Sequence, residues 1–441
     1  MLSIKNSYKQ RITMNIKLTL GATSLVATLA LTGCGIDSNA TADGTTSSFT
    51  QVKDLSASEK KTKIQSVLTA YADYAIDSYT KAKTDALSLK TALKAFTDAP
   101  TTTTLQSAKD AWLLSRESYG VTESLRLSNG PIDAEEGFAA TFGAPEGQLN
   151  AWPLDENYID YTTDKNAAVT SGNIIDGTTV ITKAYLASLN EIGGAANVST
   201  GYHAIEFLLW GQDQDYSNFI ADNISNGAMK AGERPVSDYT TAANAERRKA
   251  YLNAVADLIV DDLNIVVEAW NKNTGTYRKA FLGEGSNALT QDKVLKDIFI
   301  AIGKFIKSEV ANERVAVAAL LPSEEDEHSC FSDNTHRDID LNYIGFKNVL
   351  NLFKANLSAT EQTEINTQMT AIEAKIKKVN DVATSDYHFD YQIVEANGHL
   401  QNIVNMKNEM RDLGDEVVKV AAEYGVSLST TDVTDGDETS I

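Results

Sequence analysis

Cysteine is nearly absent from this 441-residue chain, and the only two, Cys34 and Cys330, exclude several chemistries. Cys34 closes the stretch Leu31-Thr32-Gly33-Cys34 at the end of an apolar run, so it reads as a lipid attachment point. Cys330 is then left alone, and neither an internal disulfide nor a thiolate-rich metal site can form. The Cys-x-x-Cys-His haem attachment pattern is missing, and nothing marks an axial haem ligand. Positive charge is scarce too: 39 Lys and Arg face 60 Asp and Glu, a formal charge of -21. Such a balance repels nucleic acid and favours cations or basic partners, so no nucleic-acid partner is expected. Alternating strand patterns bounded by tight turns are almost absent, which points to an all-α fold.

What is present begins with an export-like leader. Lys5, Lys9, Arg11 and Lys17 precede an apolar run from Leu18 to Leu31, and the run is short for a membrane-spanning helix. The leader resembles a bacterial lipoprotein signal, with Met14 as a second candidate start. Residues 1–33 are read as signal peptide and 34–56, rich in Ser, Thr, Asn, Asp and Gly, as a lipidated tether. The expected location is the cell envelope, with Cys34 anchoring the chain to the periplasmic side of a membrane, the outer membrane being expected.

From Ala57 the apolar residues Ile64, Val67, Leu68, Tyr71, Tyr74, Ala75 and Tyr79 recur at steps of three and four, which predicts a helix. Thr101 to Thr104 are read as an interruption, followed by a helix over 105–127. A long structured loop follows, punctuated by Pro131, Gly137, Gly143, Pro145, Gly147 and Pro153. Further helices are predicted over 180–189, 203–210, 247–270, 293–321, 342–355, 359–379 and 389–424. The organisation expected is a first helical bundle over 57–235, a second over 236–426, and a polar tail over 427–441.

Three stretches carry candidate chemistry. In "GYHAIEFLLWG", Gly201 to Gly211, His203 and Glu206 stand three residues apart and share a helix face within an apolar run. That spacing suits a metal ligand pair, and equally a buried pair that satisfies itself. An ionised Glu206 there needs a cationic answer, from His203, from Arg116 or from a metal. On "AWLLSRESYGVTESLRL", Arg116, Tyr119 and Glu123 share one stripe below Trp112, where an ordinary solvated face is the competing reading. The stretch "EEDEHSCFSDNTHRD" crowds Glu324, Glu325, Asp326, Glu327, His328, Asp333, His336 and Asp338 together, either as a cation site or as an acidic solvated loop.

Together these stretches resemble the imelysin-like peptidase family, which includes iron-regulated envelope lipoproteins. Gly201 to Glu206 fit its G-x-H-x-x-E signature, and the likeness spans about residues 57–425. It implies two helical bundles with a cleft between them and His203 and Glu206 near that cleft. It also implies a metal role for His203, Glu206 and Glu123, with Arg116, Tyr119 and Tyr202 in support and His328 and Asp333 as further candidates from the second half.

Hydrolysis by a zinc peptidase asks for His-Glu-x-x-His or its inverse, and Phe207 stands where the inverted motif needs a histidine. The paired Glu-x-x-His pattern of di-iron bundles is absent from the helices as well. Iron, or another divalent cation, makes fewer demands: carboxylate, imidazole and phenolate donors suffice. The expected function is therefore an envelope lipoprotein that binds iron or an iron-bearing ligand in the cleft during uptake, with an envelope iron-transport partner. The alternative is a metallopeptidase acting on exported proteins.

Overall fold

The computed structural model describes residues 50–436 apart from 165, 214–230, 321–325 and 384–386. The signal peptide, Cys34, most of the tether, Glu324, Glu325 and the last five residues lie outside the described residues. From Gln51 onward the described residues belong to one compact unit. It is mostly helical; among the described residues strand pairing is limited to Thr162–Thr163 with Val169–Thr170. None of its helices is long and apolar enough to cross a membrane.

Helix α1 (Ala57–Asp98) starts where Ser56 and Glu59 form a reciprocal capping box, and it buries the predicted stripe from Ile64 to Tyr79. Helix α2 (Thr102–Thr122) corrects the sequence reading. Thr101 is its N-cap and accepts from Thr104 N–H, so the threonines open the helix rather than delay it. Beyond Thr122 a single 3-10 turn, Glu123–Leu125, replaces the predicted continuation to 127. Helix α3 (Gly201–Trp210) is buried on every side, as its almost wholly apolar sequence demands. Helix α4 (Ala245–Trp270), assigned by sequence to the second bundle, packs along α1 and against α3.

The remaining long helices pack on one another. Helix α5 (Gln291–Lys304) widens into π-helical winding over Phe305–Ala316 and regains α geometry over Val317–Leu320. Helix α6 (Thr335–Lys354) begins seven residues before its predicted start, which puts Asp338 on a helix rather than in a loop. Helix α7 (Ala359–Ala383) and helix α8 (Leu400–Glu423) complete the set. The single long helix expected over 389–424 is broken: Phe389–Ile393 forms a short helix, and Gly398, at φ 78°, turns the chain before α8.

The two groups of helices meet where α6 crosses α2. A Cβ on Gly345 would collide with the Val121 carbonyl oxygen, so glycine is what lets the two backbones approach. This crossing sets Arg116 and Glu123 of the α2 stretch against Asp338 and Asn342 of α6.

Candidate functional site

The first residue of the G-x-H-x-x-E motif is there for its backbone. Gly201 has φ +87°, and a Cβ on it would lie 2.5 Å from the Leu149 carbonyl oxygen. The short helix Glu146–Asn150 can therefore press onto the start of α3 and deliver Asn150 to the interior. Asn150 Oδ1 accepts from Arg116 Nη1 at 2.6 Å, and its Nδ2 donates to Glu123 Oε2 at 3.3 Å.

His203 and Glu206 meet one turn apart as the spacing predicts, with Nδ1 and Oε2 at 2.9 Å. Both are sealed from solvent, at 1% and 0% exposure. Glu206 Oε1 accepts from the backbone N–H of Ser332 at 3.0 Å and from its hydroxyl at 2.7 Å. Burial pushes the Glu206 carboxyl up to about 8 against the pull of these two bonds. Burial, with the Arg116 guanidinium, holds the His203 imidazole down to about 3. Near neutral pH both groups are uncharged: the Glu206 hydroxyl donates to Nδ1, so the ring proton sits on Nε2, which is buried without a hydrogen-bond partner.

A second imidazole repeats the arrangement. His328 packs edge-on to His203 with ring centroids 4.7 Å apart, and its Nδ1 is 2.8 Å from Asp338 Oδ2. Trp152 closes the next side, edge-on to His328, with its indole N–H bonded to the Glu327 carbonyl oxygen at 2.7 Å. Each ring thus has a carboxyl group at Nδ1; the ionised Asp338 orients His328 as a metal-binding histidine is oriented, and Glu206 does the same for His203 once it gives up its proton.

The guanidinium of Arg116 does not answer Glu206, as the sequence reading allowed. Its Nη2 lies 3.1 Å from Asp338 Oδ1 and 3.9 Å from Glu123 Oε1. Although burial raises it, the Asp338 carboxyl is held well below the usual carboxylate range by Arg116 and by His328. Glu123 is committed elsewhere: Arg314 and Asn342 bond it, and Arg126 Nη1 stands 3.6 Å away. Glu309, raised by burial but held down to about 2 by Arg126 and Arg314, extends this ion-pair chain. Glu123 is therefore a member of a compensated network, not a spare metal ligand.

Tyr119 and Tyr202 wall this corner. Their rings stand 5.5 and 5.3 Å from the Arg116 guanidinium, and the Tyr202 hydroxyl pairs with Ser115 at 3.0 Å. Burial pushes the Tyr202 phenol up to about 12 and Tyr119 well above its ordinary value, so neither offers a phenolate.

Asp333 belongs to another group. One oxygen each from Asp213, Asp333 and Asp390 lie within 4.8 Å of one another, all three residues buried, close enough to hold a metal ion. Asp213 sits just beyond α3 and Asp390 in an aromatic run; neither carried a spacing signal that joined it to Asp333. Ser332, Asn150, Arg314 and Asn342 also escaped the sequence reading, because their roles exist only through contacts between distant segments.

Two groups of helices that meet at the α2–α6 crossing make a mostly helical fold, and the comparisons find that fold in known proteins. Residues 75–416 match the model of the imelysin family, peptidase M75, and the chain belongs to that family. A protein of Parabacteroides distasonis named as an iron-regulated protein A precursor shares the fold: TM-score 0.60, 16% identity, 85% of this chain and 100% of that one covered. An imelysin-like protein of Psychrobacter arcticus shares it at TM-score 0.55 and 14% identity, over 85% and 98% of the two chains. No curated protein sequence matches.

Proposed function

We propose that this chain is a cell-envelope protein that binds iron, or an iron-bearing ligand, at the imidazole corner as part of iron uptake. The observation that carries the reading is His203 Nε2, a buried nitrogen with no hydrogen-bond partner beside a second histidine held in the same way. His203 and His328 supply nitrogen ligands through Nε2: as the ion binds, the His203–Glu206 pair releases one proton, the ionised Glu206 accepts from Nδ1–H, and Asp338 orients the second ring. This moves Glu206 from ligand to orienting group, because its carboxyl already occupies Nδ1. Because Ser332 and His328 cover the pair, entry requires the 326–334 segment to lift. The leader and Cys34 support lipid anchorage in the envelope, and the iron-regulated name of a structural relative supports iron as cargo.

Titration of purified protein with ferrous sulfate, and separately with ferric citrate, tests the reading. His203→Ala is expected to weaken binding about tenfold or more, as loss of a direct ligand should. Binding unchanged in a normally folded His203→Ala variant would put the iron elsewhere. A zinc-loaded sample given casein tests the peptidase alternative: chelator-sensitive cleavage abolished by Glu206→Gln would replace binding with hydrolysis.

A further inference from the structure

We propose that Ser332 and Ser329 are positioning residues for the imidazole corner: each gives its hydroxyl to the carboxyl group that orients one of the two rings, so a single turn of the chain sets both. The role rests on the iron-binding reading for its ligand. Two parallel chains of contacts carry it. Ser332 Oγ and the Ser332 backbone N–H both donate to Glu206 Oε1, and Glu206 Oε2 reaches His203 Nδ1. Ser329 Oγ donates to Asp338 Oδ2, the same oxygen that stands at His328 Nδ1. The serines are three residues apart, whereas the carboxyl groups they hold come from different helices, α3 and α6.

Both serines are fixed by the turn that carries them. Ser329 is tied to the start of α6: its N–H donates to Thr335 Oγ1 at 3.0 Å, and its carbonyl oxygen accepts from Asn334 N–H at 3.1 Å. Asp333 takes φ 58°, a left-handed conformation that residues other than glycine seldom adopt, and so bends the chain back to α6. On the other flank of Ser332 the Phe331 ring packs on Phe207, with centroids 5.2 Å apart, and the Phe331 carbonyl oxygen accepts from Gly232 N–H at 2.9 Å. The turn is pinned to α6 at its base and to α3 at its tip, which aims both Ser332 donors before a ligand arrives.

The hold on Glu206 matters because the last torsion of a glutamate is broad. A carboxyl group held at Oε2 alone can swing and carry the His203 ring with it, and two donors on Oε1 stop that rotation. Asp338 depends on its serine less, since Arg116 and Asn334 hold its other oxygen. Ser332 is therefore the more consequential of the two.

The test uses two readouts on the full chain: nuclear magnetic resonance of 15N-labelled histidine rings in metal-free protein, and titration with ferrous sulfate. Ser332→Ala keeps the amide donor and the Phe331 contact, so it is expected to fold. It should shift the His203 ring resonances more than those of His328 and weaken iron binding about tenfold or more. Ser332→Thr, which restores a hydroxyl, should return both readouts toward wild type. Ser329→Ala should shift His328 more than His203, with the smaller loss of affinity. His203 resonances unmoved by Ser332→Ala, a larger shift at His328 than at His203, no recovery in Ser332→Thr, or a Ser332→Ala chain that does not fold would each overturn the proposal. Failure of the iron reading looks different: wild type would take up no iron, while the expected resonance shifts would still uphold the positioning of the rings.

Discussion

The segment 326–334 contributes to two buried clusters that differ in their composition, one mixing imidazole, carboxylate and guanidinium groups and the other gathering carboxyl groups. Toward α2 and α3 it gives His328, Ser329 and Ser332, and the carboxylates there, Asp338 and Glu123, face Arg116 and Arg314. In the opposite group it gives Glu327 and Asp333, where Glu327 meets the like charges of Asp213 and Asp390. The imidazole corner balances its ions internally and leaves over one buried imidazole nitrogen, which becomes a ligand on losing its proton. The carboxylate group gathers buried acidic side chains, and burial with the neighbouring carboxylates pushes Glu327 up toward its neutral form.

The largest effect expected lies in the compensated corner. Arg116→Ala strips Asp338 of its main partner at full burial and should lower unfolding free energy by about 3–5 kcal/mol in urea denaturation. A double-mutant cycle sharpens the assignment. Coupling between positions 116 and 338 should exceed about 1 kcal/mol and be larger than that between 116 and 206. A larger coupling to Glu206 would restore the partner that the sequence suggested.

Next comes pH, in metal-free protein. The folded Glu206 carboxyl at about 8 stands above its ordinary 4.5, so the fold holds a proton that the unfolded chain releases, and stability falls as pH rises from 4.5 through 8. His203, folded at about 3 against an ordinary 6.5, acts in the other direction, and stability falls as pH drops from 6.5 through 3. Glu206→Gln removes the first dependence alone. Relative to wild type it should gain about 3–4 kcal/mol between pH 5 and pH 8, measured by chemical denaturation. A constant difference across that window would mean that the carboxyl is already ionised.

The smallest effect is a change of sign. As pH rises from acid toward neutrality, Glu327→Gln should gain unfolding free energy relative to wild type, because burial and the neighbouring carboxylates hold the Glu327 carboxyl well above its ordinary value, whereas Asp338→Asn in the compensated corner should lose it. Equal signs at the two positions would erase the distinction between the sites.

Much of this was legible in the sequence, and the reason is periodicity. The apolar stripe of α1 and the buried run of α3 gave their helices, and the i, i+3 spacing of His203 and Glu206 gave their contact. Boundaries were less legible where one residue type has two uses: Thr101 looked like a breaker and acts as a cap, and Gly398 divides what periodicity alone runs together. Partner choice was illegible. Arg116 could be placed on the right face of α2, but that Asp338 rather than Glu206 receives it depends on the α2–α6 crossing, 222 residues away in the chain. Asp213 and Asp390 needed the same long-range assembly before they could meet Asp333.

X-ray absorption at the iron edge, on iron-loaded wild type and on His203→Ala, tests the central claim most directly. Outer-shell scattering from imidazole rings in wild type, reduced in the variant, is the result predicted for coordination through Nε2 of His203 and His328. Iron surrounded by oxygen alone, with a spectrum that His203→Ala leaves unchanged, would contradict it and move the metal to the carboxylates.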